Sequence, residues 1–309
     1  MATRGQRGVG ERETLHGIVM PARADFSQLA ILKLKLSKFI ELADNLDKRF
    51  SESLLTVTLG FGEHALRVLS EVSAPQVSLP PRVPPQVAEK LALEPSDLVV
   101  LIRSDRYDSC FVAARVLAKW LATNVEFLRS FTVFHYLDHR NLYGFKCWRD
   151  KVVGAARQQL LFMDDEQQPT WHHGSFLILQ CNQIHERRWQ QLGDKAQEQV
   201  MGFRKLDGKP LTEASSIART HAAVARPGLG TALCWQQLPI ANVSEQAHLE
   251  LLWGHDFAAI TNWLTNRFIA TDDSPQDPLL AYEYNLLTAA YFIPPRVWFE
   301  RLTQVSSSR

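Results

Sequence analysis

Ten histidines and four cysteines are the side chains of this 309-residue sequence best suited to metal or nucleophilic chemistry. Cys110, Cys147, Cys181 and Cys234 are widely separated and form no C-x-x-C pair, which argues against a zinc ribbon or a disulfide framework and fits a reducing cytoplasm. His172 and His173 are adjacent, and side chains at i and i+1 share no face of a helix or strand, so a two-histidine chelate is not expected there. His135, His139, His185, His248 and His255 lack the H-E-x-x-H spacing. Gly60-Phe61-Gly62 and Gly228-Leu229-Gly230 each lack the third glycine of a dinucleotide loop, and neither a G-x-S-x-G elbow nor a Walker sequence is present. His221 stands apart. It ends a polar stretch that begins at Asp207, and it precedes Ala222, Ala223 and Val224, small residues that leave room for something flat and large. On spacing alone, a hydrogen-bonded histidine at a helix start is the reading.

Composition narrows the partners. Lys and Arg number 34 against 33 Asp and Glu, so no excess charge is available to neutralise a phosphate backbone or an anionic membrane surface. No apolar run approaches the ~20 residues needed to cross a bilayer. The first fourteen residues, MATRGQRGVGERET, have no apolar core of the kind a secretory signal carries and read as a loose tail. With 46% hydrophobic residues the chain can build one large domain or two ordinary ones.

Hydrophobic periodicity supplies the elements that must position His221. Leu15 to Met20 reads as a strand, and Ser27 to Phe50 as one amphipathic helix with Leu32, Leu36, Phe39, Ala43 and Leu46 on a face. Leu54 to Phe61 is strand-like, and Gly62 opens a helix through Leu69. Six of the fifteen prolines fall between Pro75 and Pro95, which forbids helix or central strand there. A strand from Asp97 to Arg103, a helix from Tyr107 to Thr123 and a strand from Phe131 to Tyr136 follow. In the second half, Ser175 to Gln180 and Leu249 to Trp253 read as strands, with helices from Glu186 to Val200 and from Phe257 to Ile269. Leu59 to Leu69 and Leu251 to Leu264 share the order strand, glycine, amphipathic helix. That order predicts duplicated α+β units with antiparallel sheets, a tail over 1–14, and halves over 15–140 and 141–309.

From Leu15 to about Leu302 the sequence resembles the dye-decolorizing (DyP-type) haem peroxidases, in particular short bacterial members without secretion signals. Ser96 to Asp108 resembles the family's strand and turn before its second helix, and Asp138 to Phe145 the run into its G-x-x-D-G signature. Gly174-Ser175-Phe176, Trp189 and Met201 to Lys205 resemble the G-S-[YF], W and I-G-R-x-K landmarks. Arg219-Thr220-His221 falls where the family carries its haem-ligating histidine, and Gln237-Leu238-Pro239 resembles the segment after the distal arginine. The resemblance implies two ferredoxin-like halves of the dimeric α+β barrel type, a homo-oligomer built from dimers, haem b on His221, and peroxide with a small organic reductant as partners.

The departures from the family fall on the chemistry. Reading Gly144 as the first glycine of the signature puts Cys147 at the catalytic aspartate and Trp148 at the glycine that follows it, while Trp235 takes the place of the distal arginine. Phe203 replaces the arginine of I-G-R, with Arg204 adjacent as a replacement cation beside the cofactor. Peroxide heterolysis needs a group that moves a proton between the two oxygens and a cation for the departing one, each worth roughly 10²–10⁴ in rate. Cysteine and tryptophan supply neither. Three expectations follow from the resemblance: a haem protein ligated by His221 with weak or no peroxidase activity; a haem-free pseudoenzyme whose indoles fill the old cavity and which acts as a binding or assembly module; and, third, a peroxidase with relocated catalytic groups.

Overall fold

The two repeated units of the sequence become two sets of antiparallel strands in a computed structural model, which describes residues 5–9, 14–70, 72–147, 152–164, 169–211, 220–242, 245–270 and 276–303. The first half runs β1 (His16–Ala24), α1 (Leu29–Leu36), α2 (Phe39–Arg49), β2 (Thr56–Phe61), α3 (Glu63–Leu69), α4 (Leu79–Arg82), α5 (Pro85–Ala88), β3 (Leu98–Ser104), α6 (Tyr107–Leu121), β4 (Val125–Phe127) and β5 (Phe131–Phe134). The second runs α7 (Gly154–Leu161), β6 (Ser175–Ile184), α8 (Glu186–Gln190), α9 (Asp194–Met201), α10 (His221–Ala225), β7 (Cys234–Ala241), β8 (Gln246–Gly254), α11 (Phe257–Phe268), β9 (Glu283–Ile293) and α12 (Arg296–Arg301).

Strand order is β4-β1-β3-β2 and then β9-β6-β8-β7, with β5 also paired to β1. Counted within each half, both sets read fourth, first, third, second, the order of a ferredoxin-like unit. The sets meet through one pair, Phe61 with Phe292. This topology changes the correspondence expected between the halves. β8 with α11 is a third strand followed by the second crossover helix, so its counterpart is β3 with α6 and not β2 with α3. What the two segments share is a strand that turns through glycine. At Gly62 that turn needs a bare backbone, because a Cβ there would lie 2.3 Å from the Ser96 carbonyl oxygen.

Both faces of the strands are covered, which explains their near-continuous apolar runs. Alternate residues enter two layers. Leu98, Val100, Ile102, Ile178, Leu252 and Phe292 face the helices, while Val99, Leu101, Leu177, Leu179, Leu251 and Tyr291 form a second core drawn from strands of both halves. Cys234 belongs to the second core, so its neighbour Trp235 points the other way, toward α10 and α11.

Two expected helices are broken. The first divides at Ser37, whose hydroxyl donates to the Leu34 carbonyl oxygen at 2.8 Å and competes with the helical ladder, yet Leu32, Leu36, Phe39 and Leu46 remain on the buried face. The second divides before Gly193, the N-cap of α9. The proline-rich segment, expected to hold no helix, carries the two four-residue helices α4 and α5, and three strands, β4, β7 and β9, are absent from the sequence reading. β7 contains Gln236, Gln237 and Pro239 and is tolerated because it lies at the end of the strand order. β9 starts on Glu283, Tyr284 and Asn285 before its apolar stretch, which hides its alternation.

Candidate functional site

His221 opens α10, a helix whose cap is Thr220: the threonine hydroxyl accepts the Ala223 N–H at 3.1 Å. The chain leaves α9 through Gly202, which has φ +83° and packs where a Cβ would stand 2.6 Å from that same hydroxyl. Close approach of α9 and α10 therefore fixes where the imidazole begins.

The ring is 2% exposed, and its Nδ1 is 2.8 Å from Asp277 Oδ2. A carboxylate on one nitrogen of a histidine orients the ring and leaves Nε2 as the nitrogen for a metal. Asp277 is also a cap, accepting the Leu279 N–H at 3.0 Å, and so holds its place independently of His221. Behind it lies Arg267. On α11 the buried positions Ile260, Trp263, Leu264 and Arg267 follow helical spacing, so the guanidinium is carried into the core by the same stripe that packs the helix. Its Nε donates to Asp277 at 2.8 Å, one terminal nitrogen to Glu283 at 2.9 Å and the other to Glu250 at 3.3 Å. Gln237 donates to Glu250 and the Tyr143 hydroxyl to Glu283, both at 3.1 Å.

One cation thus faces three buried carboxylates. Burial works against the charge of Arg267, but Asp277, Glu283 and Glu250 outweigh it and hold the guanidinium charged. Asp277 stays below the usual carboxylate range: burial opposes its ionisation, and His221 and Arg267 overcome that opposition. Glu283 goes the other way, pushed up to about 8 by burial, against the pull of Arg267 and with Glu250 and Asp277 adding to the rise. On β8, burial takes His248 down to about 3; its Nε2 accepts the Leu142 N–H at 2.9 Å, which ties the loop before Cys147 to the sheet.

These shifts set a pH dependence. Glu283 stays protonated in the fold after it ionises in the unfolded chain, so its contribution is whole below about pH 4.3 and is lost as pH rises to about 8. His248 stays neutral in the fold, so its contribution is whole above about pH 6.5 and is lost as pH falls toward 3. Stability is therefore expected to be greatest between roughly pH 4.5 and 6.5, where the two slopes oppose one another. Glu283→Gln should remove the decline between pH 6.5 and 8, as read by denaturant unfolding at each pH. A decline as steep in the variant would assign it to another group.

Trp235 lies against His221, with ring centres 5.8 Å apart and planes at 73°. Trp263 packs on Trp235 at 5.5 Å and donates its indole N–H to the Ala225 carbonyl oxygen at 2.7 Å, and Arg267 sits over both indoles at 6.0 and 5.6 Å. The residues bear unequally on a haem. On the ligand side they fit, because a buried imidazole is oriented by a carboxylate. Trp235 limits the space beside the imidazole. A haem between the rings needs about 2 Å for the iron–nitrogen bond and about 3.5 Å more to the next carbon, counted from the nitrogen; 5.8 Å between ring centres does not provide this.

The other expected residues are placed elsewhere. Cys147 lines a cleft with His135, His139, Arg140 and Gln237, and its N–H donates to the His139 carbonyl oxygen at 2.7 Å. Arg204 is exposed and pairs with Asp207. Trp148 lies outside the described residues. The reading from sequence missed Arg267, Asp277, Glu250 and Glu283. Arg267 left a signal, since it occupies an apolar position of the α11 stripe; the three acids have no local pattern that marks them.

Residues 138–298 match the family model described as Dyp-type peroxidase, C-terminal. The dye-decolorizing peroxidase of Rhodococcus erythropolis is 25% identical over 206 residues, 65% of this chain and 60% of that protein, so the match spans less than two thirds of the relative's length. Among solved structures, a dye-decolorizing peroxidase from Bacteroides thetaiotaomicron has a TM-score of 0.84 at 21% identity, over 98% of this chain and 99% of that one. A variant of DypB from Rhodococcus jostii, in complex with heme, has a TM-score of 0.80 at 18% identity over 96% and 97%. At these identities the structural likeness is one of fold.

Proposed function

The chain belongs to the DyP-type peroxidase family, and on that premise we propose that it is a member that has given up peroxide turnover and serves as a haem-free binding or assembly module. The observation that carries this reading is the contact between His221 and Trp235, whose ring centres at 5.8 Å leave no room for a macrocycle between them. Loss of chemistry supports it. Trp235 stands at the position of the family's distal arginine and Cys147 at that of its aspartate, so neither a positioned cation nor a carboxylate is supplied there. The nearby cation, Arg267, is engaged by three carboxylates.

A second reading is favoured by one observation, the 2.8 Å bond between His221 and Asp277. In it Trp235 moves aside and His221 ligates haem b, as the family would have it, still without a distal acid or cation. The two readings agree that peroxidase activity is weak or absent. Purified protein supplied with haemin and peroxide is expected to oxidise a dye no faster than haemin alone. A rate orders of magnitude above haemin, lost in His221→Ala, would establish the third reading, a peroxidase with relocated groups.

The family resemblance also supports a homo-oligomer built from dimers, and a division near residue 140 is supported by the family match that begins at 138. Among the described residues no helix is long and apolar enough to cross a membrane. The widely spaced cysteines support a reducing, cytoplasmic setting.

A further inference from the structure

A cavity away from His221 lies at the seam of the two halves. Its volume, about 430 Å³, falls within the roughly 300–1,000 Å³ of small-molecule sites. Its walls come from the start of α3, the proline-rich segment, the approach to β3, and β9. The framework is held from several sides. Gly62 N–H donates to the Asp97 carbonyl oxygen at 2.9 Å, Glu94 N–H to that of Thr288 at 3.0 Å, and Thr288 N–H to that of Ala92 at 2.7 Å. The prolines between 75 and 95 have fixed φ angles and resist collapse of the intervening chain into the space.

The charges around the cavity are unequally engaged. Asp97 receives the Ala24 N–H at 3.0 Å and faces His64 Nδ1 at 3.0 Å; Glu94 pairs with Arg129 at 2.7 Å; Glu63 accepts from the Ser78 hydroxyl. Each carboxylate on the wall therefore has a partner. The Arg23 side chain has no hydrogen bond or ion pair among the described residues, although Glu126 is its cross-strand neighbour, and Arg67 reaches Glu63 only at 3.9 Å. Both guanidiniums are exposed at the rim. Inside, Val77, Leu79, Leu93 and Ala290 offer apolar surface. One cation without an ion pair and one held only at 3.9 Å, beside an apolar interior, suit a ligand with an anionic head and a hydrocarbon body, and the planar fork of arginine matches a carboxylate.

We propose that this seam cavity binds a small organic carboxylate, its head at Arg23 and Arg67 and its apolar body against Val77, Leu79 and Leu93. The site rests on none of the residues of the haem question and stands whichever reading of His221 holds. Calorimetric titration of the full chain with octanoate, with octanol and inorganic phosphate as separate arms, tests it. Octanoate should bind with a sub-millimolar Kd, and each control should bind at least about tenfold more weakly. The exposed pair Arg23→Gln and Arg67→Gln, which leaves the core untouched, should weaken octanoate by roughly tenfold or more. No octanoate binding, phosphate binding as tight as octanoate, or an unchanged Kd in the double variant would each overturn the proposal.

Discussion

Replacing Trp235 with alanine is expected, on the haem-free reading, to let the chain take up a single haem ligated by His221 that the parent does not bind. The substitution removes the ring now lying 5.8 Å from the imidazole, while Asp277 keeps that imidazole oriented. A buried tryptophan cut to alanine costs about 3–5 kcal/mol; Trp235 is only partly buried, so a smaller loss is expected without ligand. Haem at a hundredfold excess over its Kd returns about 2.7 kcal/mol through mass action. The unfolding temperature of Trp235→Ala should therefore rise with added haemin, and that of the parent should not. Adding His221→Ala should abolish the rise. Haem taken up equally by both Trp235 variants would mean that the opened slot binds the macrocycle without its iron, and His221 would lose its assigned part.

Arg267→Leu should produce the largest loss of stability of any single change in the second half. It leaves Asp277, Glu250 and Glu283 buried together without their cation, and breaking a buried ion pair from one side costs about 3–5 kcal/mol. For a chain of this size that corresponds to roughly 5–8 °C in unfolding temperature. The sign of the pH effect identifies the cause. Without the guanidinium the carboxylates are driven to bind protons on folding, so the deficit should shrink as pH falls from 8 to 5. A deficit that does not change with pH would point to lost packing against Trp235 and Trp263, which Arg267 also covers.

How much of this was legible in the sequence follows from how local each signal is. Strands buried on both faces, such as β3 and β6, announce themselves as unbroken apolar runs, and Gly62 marks its turn because only glycine fits against the Ser96 carbonyl. β7 and β9 do not, because each carries polar residues used by the site or by the sheet edge: Gln237 serves Glu250, and Glu283 serves Arg267. The ionic cluster joins residues from four separate stretches, and such a constellation appears only after folding brings them together. His221 was singled out from its small neighbours and by resemblance. Beside the imidazole lies an indole from β7. Resemblance located Trp235 as a missing arginine, but it could not say that the side chain would reach the histidine.

The central claim, that Trp235 occupies the place of a haem, is tested most directly by titrating the purified chain with haemin and following absorbance in the Soret region. The account expects the wild-type spectrum to remain that of haemin in buffer, with a ligated band growing to one equivalent only in Trp235→Ala and vanishing when His221 is also replaced. A stoichiometric, His221-dependent Soret band in the wild-type chain would contradict it and establish the haem-binding reading in its place.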